Sequence, residues 1–259
     1  MKYISLPDEK VRHLISADAP TRCLSFYLAM EEFVARRLNE PDCFFMWQVG
    51  PSVIFGRNQV VENEVNLDYC KAHGIKVYRR KSGGGCVYAD MDNLMWSFIT
   101  TEENVGFAFN RFVNMVLLVL RKLGIPATGS SHNDIMIGEK KVCGTACYHL
   151  AGRSIVHSTM LYDTNMDHML NAITPGPEKL EKKGIQSVRQ RITLLKDEIM
   201  KSERLKGDGM RINSVGDLKA FIRETLCEGE RVLTAKEVVE IEAIETTYLK
   251  EEFINLIQQ

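Results

Sequence analysis

Three consecutive glycines, Gly83 to Gly85, place the strongest constraint on what this chain can fold into. They lie in the stretch RRKSGGGCVYAD (residues 79–90), between a basic run and a β-branched and aromatic run. Glycine loses more backbone entropy on folding than other residues, so such a run is typical of a tight turn or of close backbone approach to a ligand. IKVYRR before the glycines and CVYAD after them both resemble strands, so the run is predicted to join strand to strand.

This strand-to-strand position excludes the common nucleotide loops. A dinucleotide fingerprint or a Walker loop leads from a strand into a helix, and the run contains neither GxGxxG nor GK[ST]. One interpretation is an anion-binding nest, in which successive backbone N–H groups point at a phosphate or carboxylate. Arg79, Arg80 and Lys81 would then add positive charge beside the anion. The alternative is a β-bulge next to a solvated basic patch, and the pattern leaves both open.

Composition limits the classes of partner. The 259 residues contain 33 Lys and Arg against 34 Asp and Glu, so no overall basic field points to nucleic acid or an anionic membrane. No stretch has the roughly 18 apolar residues of a membrane span, and the N-terminus shows no signal peptide. The seven cysteines are odd in number and form no CxxC pair, which favours reduced thiols and a cytoplasmic location.

Hydrophobic periodicity predicts an α+β fold with a mixed or antiparallel β-sheet and flanking helices. Helices are predicted at residues 21–38, 65–74, 105–124, 214–227 and 234–254. Strands are predicted at 43–49, 51–56, 75–80, 86–90 and 93–100, and a β-meander at 133–162 with turns at Gly138-Glu139 and Ala151-Gly152. The basic segment 201–211 is predicted to be a solvated loop.

A second informative segment is SSHNDIMIGEKKVCGTACY (residues 130–148). Asp134 could bind a divalent metal, because hard cations prefer oxygen ligands. Lys141 begins the strand KVCGTA, where simple alternation places Lys141 and Cys143 on one face and Val142 on the other. A lysine there could neutralise a substrate carboxylate or a developing oxyanion. A turn lysine in water is the alternative.

Together these segments resemble the lipoate–protein ligase A family, which shares its fold with biotin ligases and octanoyl- and lipoyl-transferases. WQVGPSVIFGRNQ, the glycine segment, HNDIMIGEKKVCGTA and GIQSVRQRIT occur in the family's order and spacing, over roughly residues 20–195. The resemblance implies that lipoate reacts with ATP, with Mg²⁺ present, to give lipoyl-adenylate and pyrophosphate. The lipoyl group then passes to a lysine of a lipoyl domain of a 2-oxoacid dehydrogenase or of the glycine-cleavage H protein.

The resemblance also assigns roles to individual residues. It places the nucleotide and acyl-adenylate loop at Arg80, Ser82, Gly83, Gly84, Gly85, Cys86, Val87 and Tyr88. Lys141 matches the family's catalytic lysine, and Asn133 and Asp134 match the pair near the phosphates, with Asp134 as the expected metal ligand. The expected acyl-substrate residues are Trp47, Gly56, Arg57, Asn58, Gly144 and His157.

The sequence departs from the family pattern in three places. Ala89 stands where the family often has His, and HSTML (157–161) replaces the usual small-Gly-Thr-Leu-Leu. The two-domain ligases continue for another eighty-odd residues as an accessory domain. This chain is therefore interpreted as one catalytic domain (1–259) with a core at 20–195 and a helical portion at 196–259. A separate accessory-domain polypeptide is a candidate partner.

Alternatives to the ligase interpretation remain at this point. A lipoyl or octanoyl transferase that forms an acyl-thioester would need an activated cysteine, and Cys86, Cys143 and Cys147 lie near the motifs. His149 is expected on the same strand face as Cys147. A biotin ligase is disfavoured because GRGRxGR is absent, and a non-catalytic relative is disfavoured by Lys141 and the glycine loop. The choice between lipoate and octanoate stays open.

Overall fold

The computed structural model describes residues 1–7, 22–130, 134–173, 191–202 and 212–255. Within these ranges the helices are α1 (Leu24–Arg37), α2 (Val61–Glu64), α3 (Leu67–Ala72), α4 (Val105–Lys122), α5 (Met166–Ala172), α6 (Leu195–Lys201), α7 (Val215–Leu226), α8 (Ala235–Tyr248) and α9 (Glu251–Ile254). The strands are β1 (Lys2–Ser5), β2 (Asp42–Trp47), β3 (Ser52–Phe55), β4 (Lys76–Arg79), β5 (Val87–Ala89), β6 (Asn93–Thr100), β7 (Ala127–Gly129), β8 (Asp134–Ile137), β9 (Lys140–Leu150), β10 (Arg153–Leu161) and β11 (Gly229–Val232).

The larger sheet has the strand order β11-β1-β2-β6-β10-β9-β8-β7. Strand β1 runs parallel to both β2 and β11, whereas β2, β6, β10, β9, β8 and β7 pair in antiparallel fashion. The predicted β-meander is therefore confirmed as β8, β9 and β10, with turns at the predicted positions. Gly138, Ala151 and Gly152 all adopt positive φ there, as tight hairpin turns require.

Helices cover both faces of this sheet, so its central strands are buried on both sides. In β2, Phe45 and Trp47 belong to the cluster beneath α1 and α8, while Phe44 and Met46 belong to the cluster beneath α4 and α7. Alternate side chains of a strand point to opposite faces, so one apolar run can serve two cores. The strand thereby positions Trp47 on the face that carries the main cavity.

A smaller sheet of order β4-β3-β5 carries the glycine loop. Strand β3 pairs with β4 in parallel and with β5 in antiparallel fashion. Residues 80–86 connect β4 to β5 and pass over the end of β3 between them. The predicted strand-to-strand position of the glycines is confirmed.

Several elements differ from the sequence prediction. Residues 196–259 were expected to be helical, but β11 lies among them and pairs with β1. The predicted helix 234–254 is divided into α8 and α9. Of the predicted solvated loop 201–211, Lys201 instead ends α6, and residues 203–211 lie outside the described ranges, as do residues 174–190. No helix in the described ranges combines the length and apolarity that a membrane span requires.

Helix α8 begins with a capping box. Thr234 Oγ1 accepts a hydrogen bond from the Glu237 backbone N–H, and the Glu237 carboxylate accepts one from the Thr234 N–H. We expect Thr234→Ala to lower the free energy of unfolding by about 1 kcal/mol, because an orphan helix N–H loses its partner. Urea denaturation measures this change. The matched control is Thr246→Ala on the exposed side of α8, which should stay within about 0.5 kcal/mol of the parent; equal losses in both variants would contradict the capping role.

Candidate active site

The main cavity lies between the glycine loop and the large sheet and has a volume of about 560 Å³. Apolar side chains form much of its wall, including those of Leu28, Ile54, Met95 and Leu161. Its basic lining residues, among those described, are Arg80, Lys141 and His157. An elongated apolar ligand with an acidic end suits a cavity of this kind.

The glycine loop is packed directly on the loop that follows β3. A Cβ atom at Gly56 would overlap the carbonyl oxygen of Gly84, and the Arg57 N–H donates to Ser82 O at 3.0 Å. Gly84 itself has φ +90°, a backbone conformation that favours glycine. Gly84 and Gly85 line the cavity, so the close packing behind the loop presents its backbone to the cavity.

Arg80 organises this loop from inside. Its Nη2 donates to Gly83 O and Gly85 O, both at 2.7 Å, its Nη1 donates to Ile54 O at 3.1 Å, and its Nε donates to Ser82 Oγ at 2.9 Å. The residue is 4% exposed, and burial lowers the pKa of its guanidinium to about 10, so it remains charged at neutral pH. Its donors therefore face loop carbonyls, and its charge stays beside the loop.

The basic residues on either side of Arg80 are also engaged. Arg79 donates to Arg57 O at 2.6 Å and to Ile254 O at 2.9 Å. Lys81 Nζ lies 2.6 Å from Glu32 Oε2. In one interpretation of the sequence these three charges flank a bound anion, whereas the structure shows each of them bonded to other groups of the protein.

Lys141 enters the cavity through a β-bulge. Asp134 pairs with Gly144 and Ile135 with Cys143, but Met136 pairs with Lys141, which leaves Val142 as the extra residue. Lys141 consequently shares a face with Asp134 and Gly144, and the predicted sharing of a face with Cys143 is wrong. Both Val142 and Cys143 are buried in the core beneath α4.

The lysine lies across Gly144 and beside a carboxylate. A Cβ atom at Gly144 would stand 2.9 Å from Lys141 Nζ, so a larger residue would displace the ammonium group. Asp134 Oδ1 is 2.8 Å from Nζ, and both side chains are partly exposed. Asp134, Lys141 and Gly144 thus form one partly solvated site on the cavity wall.

Asp134 is the remaining candidate for a metal. Its predicted neighbour Asn133 lies outside the described residues. No group of three His, Cys, Asp or Glu side chains is assembled within the described part of the chain. Mg²⁺ usually binds through one or two carboxylates together with waters and substrate phosphates, so a single carboxylate at a cavity wall fits that ion.

A buried polar network connects the glycine loop to α1. Ser82 Oγ is 2.7 Å from His157 Nε2, and His157 Nδ1 is 3.0 Å from Glu31 Oε2. Ser97 Oγ donates to Glu31 Oε1 at 2.6 Å and accepts from Trp47 Nε1 at 2.9 Å. Because a carboxylate only accepts, the proton of the contact with Glu31 lies on Nδ1, and in a neutral imidazole Nε2 then accepts from the Ser82 hydroxyl.

Sequence reasoning missed Glu31 and Ser97 in this network. Glu31 stands in the run LAMEEFVA inside the predicted helix 21–38, yet it is 0% exposed. The one available signal was a pair of glutamates surrounded on both sides by apolar residues. A buried acid of this kind requires partners, which His157 and Ser97 supply.

The other predicted residues occupy different positions around the cavity. Cys86, Val87, Tyr88, Trp47, Gly144 and His157 line it. Gly56, Arg57 and Asn58 do not line it and belong to the loop behind the glycines. Ser82 and Gly83 support the loop through their contacts with Arg80.

The cysteines near the site are not activated thiols. Burial raises the pKa of Cys86 and of Cys143 to about 12 and that of Cys147 to about 11. A cysteine nucleophile needs a lowered pKa, because the thiolate is the reactive form. His149 lies on the same face of β9 as Cys147, as predicted, but it is exposed near the end of the strand. These thiols are protonated at neutral pH.

The packing of Gly56 against Gly84 provides a direct test of the loop's construction. Gly56→Ala should cost about 1–3 kcal/mol in the free energy of unfolding, because its methyl group would push backbone against backbone. Gly50→Ala is the matched control, since a Cβ atom there meets nothing within 4 Å. Urea denaturation compares the two. A Gly56→Ala variant as stable as Gly50→Ala would show that the loops separate easily.

Comparison with known proteins agrees with this geometry. The family model described as "Lipoyl protein ligase A/B catalytic domain" matches residues 24–207. Lipoate–protein ligase 1 of Staphylococcus aureus is 38% identical over 172 residues, which cover 66% of this chain and 52% of that protein. The chain thus spans about half the length of this curated relative.

Solved structures extend the likeness over the whole chain. A chain from the structure of a bi-partite lipoate protein ligase and its E2 lipoyl domain from Thermoplasma acidophilum has a TM-score of 0.79 and 26% identity, with 100% of this chain and 97% of that chain covered. A crystal structure of lipoate-protein ligase A bound with ATP has a TM-score of 0.75 and 26% identity, with 99% of each chain covered. The predicted fold and family resemblance are confirmed: the chain belongs to the lipoyl protein ligase A/B catalytic-domain family.

Proposed function

We propose that this chain is an ATP-dependent lipoate–protein ligase, which activates lipoate or octanoate as an acyl-adenylate and transfers the acyl group to a lysine of a lipoyl domain. The observation that carries the proposal is Lys141, a partly exposed cation that a β-bulge directs into an apolar cavity beside a backbone loop of glycines. The name of the Staphylococcus aureus relative and the ATP-bound structural neighbour support it.

Adenylation brings two anions together, the carboxylate of the acid and the α-phosphate of ATP. A carboxylate oxygen attacks the α-phosphorus, and pyrophosphate leaves. The site therefore needs positive charge and backbone donors more than a nucleophilic side chain. Lys141 supplies a partly exposed cation, and Gly84 and Gly85 present backbone to the same cavity. The apolar wall would receive the alkyl chain and exclude water from the reacting groups.

Asp134 has two tasks in this proposal. Its ion pair with Lys141 keeps the ammonium group beside Gly144 before substrates bind. When phosphates arrive, Asp134 would hold Mg²⁺, whose charge offsets that of the phosphate oxygens. Asn133 remains predicted to lie near the same phosphates. In the second step an acceptor lysine amine attacks the acyl carbonyl, and AMP leaves.

The partners are proposed on the same basis. The neighbour from Thermoplasma acidophilum is described together with its E2 lipoyl domain, which supports a lipoyl domain of a 2-oxoacid dehydrogenase as acceptor. The H protein and a separate accessory-domain polypeptide are further candidates, the latter because that neighbour is bi-partite. A cytoplasmic location remains our prediction from the use of cysteine.

Lys141→Ala should reduce lipoate-dependent ATP–pyrophosphate exchange by roughly 10²–10³-fold, the usual effect of removing one donor that stabilises developing charge. The melting temperature should change little, because the side chain is partly exposed. Lys140→Ala is the matched control, since Lys140 is the exposed neighbour in the same strand. Exchange that survives in Lys141→Ala would remove this lysine from the mechanism. A parent protein that shows no lipoate- or octanoate-dependent exchange, either alone or with an accessory-domain polypeptide, would contradict the ligase assignment itself.

The thioester transferase is the second candidate, because Cys86 lines the cavity. In the proposed ligase, Cys86→Ser, Cys143→Ser and Cys147→Ser should each keep lipoylation of an acceptor domain within a few-fold of the parent. Burial raises the pKa of all three thiols, so none should form an acyl adduct. Mass spectrometry after mixing with octanoyl-carrier protein checks this. A hydroxylamine-labile adduct on one of these cysteines would instead support the transferase.

A further inference from the structure

The glycine loop is connected to the C-terminal helix α8 through Lys81 and Glu32. Lys81 Nζ is 2.6 Å from Glu32 Oε2 and lies 4.9 Å from the centroid of the Tyr248 ring. Tyr248 is the last residue of α8, and its hydroxyl donates to the same Glu32 oxygen at 3.2 Å. One oxygen of Glu32 therefore accepts hydrogen bonds from both Lys81, next to the glycine loop, and Tyr248, at the end of α8.

The hydrogen bonds of Glu32 and Tyr248 lie in a buried environment, where they contribute more to holding the structure than exposed ones do. Tyr248 is 1% exposed and Glu32 is 6% exposed. Burial opposes ionisation of Glu32, but Lys81 and Arg36 outweigh it and hold the pKa of this carboxyl below its usual range. Burial and the nearby carboxylates raise the pKa of Tyr248, so its hydroxyl remains a donor. Hydrogen bonds to a charged group in such surroundings are among the stronger ones.

Lys81 transmits this constraint along the chain. Its neighbours Arg80 and Ser82 make the contacts that shape the glycine loop, and Ser82 also reaches His157. Successive Cα atoms are held about 3.8 Å apart, so a shift of the Lys81 backbone also moves Arg80 and Ser82. Without the Tyr248 hydroxyl, the Glu32 carboxylate is less restrained, and Lys81 with it.

We propose that Tyr248 is a positioning residue for the glycine loop, which acts through Glu32 and Lys81; its effect on turnover rests on the proposed ligase function. Tyr248 lies outside residues 24–207, which the family model matches. Helix α8 packs on α1, the helix that carries Glu32, so the contact is part of a continuous interface. The C-terminal part of the chain thereby contributes to the geometry of the active-site loop.

Tyr248→Phe tests this proposal, because it keeps the ring over Lys81 and against Phe253 and removes the hydroxyl alone. The readout is Cys86, which follows the glycines, is half-buried, and has a thiol whose pKa burial raises. We expect iodoacetamide to alkylate Cys86 roughly tenfold faster in Tyr248→Phe, the factor that corresponds to one lost hydrogen bond to a charged group. Peptide mass spectrometry measures this rate separately from the other cysteines.

Two further variants make the result specific. Tyr162→Phe removes another buried tyrosine hydroxyl, in the cluster on the opposite face of the sheet, and should leave the Cys86 rate unchanged. Lys81→Met should reproduce the effect of Tyr248→Phe, and the double variant should add little, because both break one connection. An unchanged Cys86 rate in Tyr248→Phe would overturn the proposal, as would an equal increase in Tyr162→Phe.

Turnover provides a separate readout. If the ligase function holds, Tyr248→Phe should raise the KM for ATP more than it lowers kcat, since the loop is displaced while Lys141 is intact. A kcat loss with unchanged KM would contradict a positioning role. If the parent shows no lipoate- or octanoate-dependent exchange, either alone or with an accessory-domain polypeptide, the proposed function fails, but the Cys86 comparison still decides whether Tyr248 positions the loop.

Discussion

The buried guanidinium of Arg80 is the interaction on which the candidate site depends. A charge with 4% exposure is costly unless its donors are satisfied, and here they face carbonyls of the glycine loop and of β3. The carbonyls of Gly83 and Gly85 lie in the connection between β4 and β5, outside the strands. Each side therefore satisfies the other, and the loop takes one shape because other shapes would leave a buried charge or buried carbonyls without partners.

The residues on either side of Arg80 extend this arrangement outward. Arg79 bonds to the loop after β3 and to the end of α9, while Lys81 bonds to α1. Three successive side chains thus connect the glycine loop to three different parts of the protein. A loop with this many connections is pre-organised, which reduces the entropy lost when a ligand binds to it. Lys141, on β9, is more exposed than Arg80, and its ammonium group is paired with one carboxylate, that of Asp134.

Much of the fold could be predicted from local patterns. Strand β6 and helix α4 were located within two residues because their apolar runs are long and bounded by clear turn signals. Strands β1 and β11 were missed because their pairing joins residues more than two hundred positions apart, where β1 also pairs with β2. Local propensity carries no information about such pairing.

In the candidate site, too, some residues could be predicted from local sequence and others could not. The glycine run, Asp134 and Lys141 were recognisable because they combine unusual residue types at short spacing. The network of Glu31 and Ser97 was not, since their partners come from distant strands and their burial depends on the packing of α1. The partners of Arg79, Arg80 and Lys81 could not be predicted either. A basic residue type alone does not indicate whether its side chain binds a ligand phosphate or a carbonyl of its own chain.

The β-bulge in β9 places Val142 and Cys143 consecutively in the core and still leaves Lys141 and Gly144 in the cavity. A regular antiparallel pair alternates strictly, so it could not bury two successive residues and present those on either side of them. The chemistry of this strand is therefore inseparable from one unpaired residue. A designer who transfers this lysine to another antiparallel sheet must also transfer the extra residue. The same sequence on a regular strand that keeps Gly144 in the cavity would direct the ammonium group into the core.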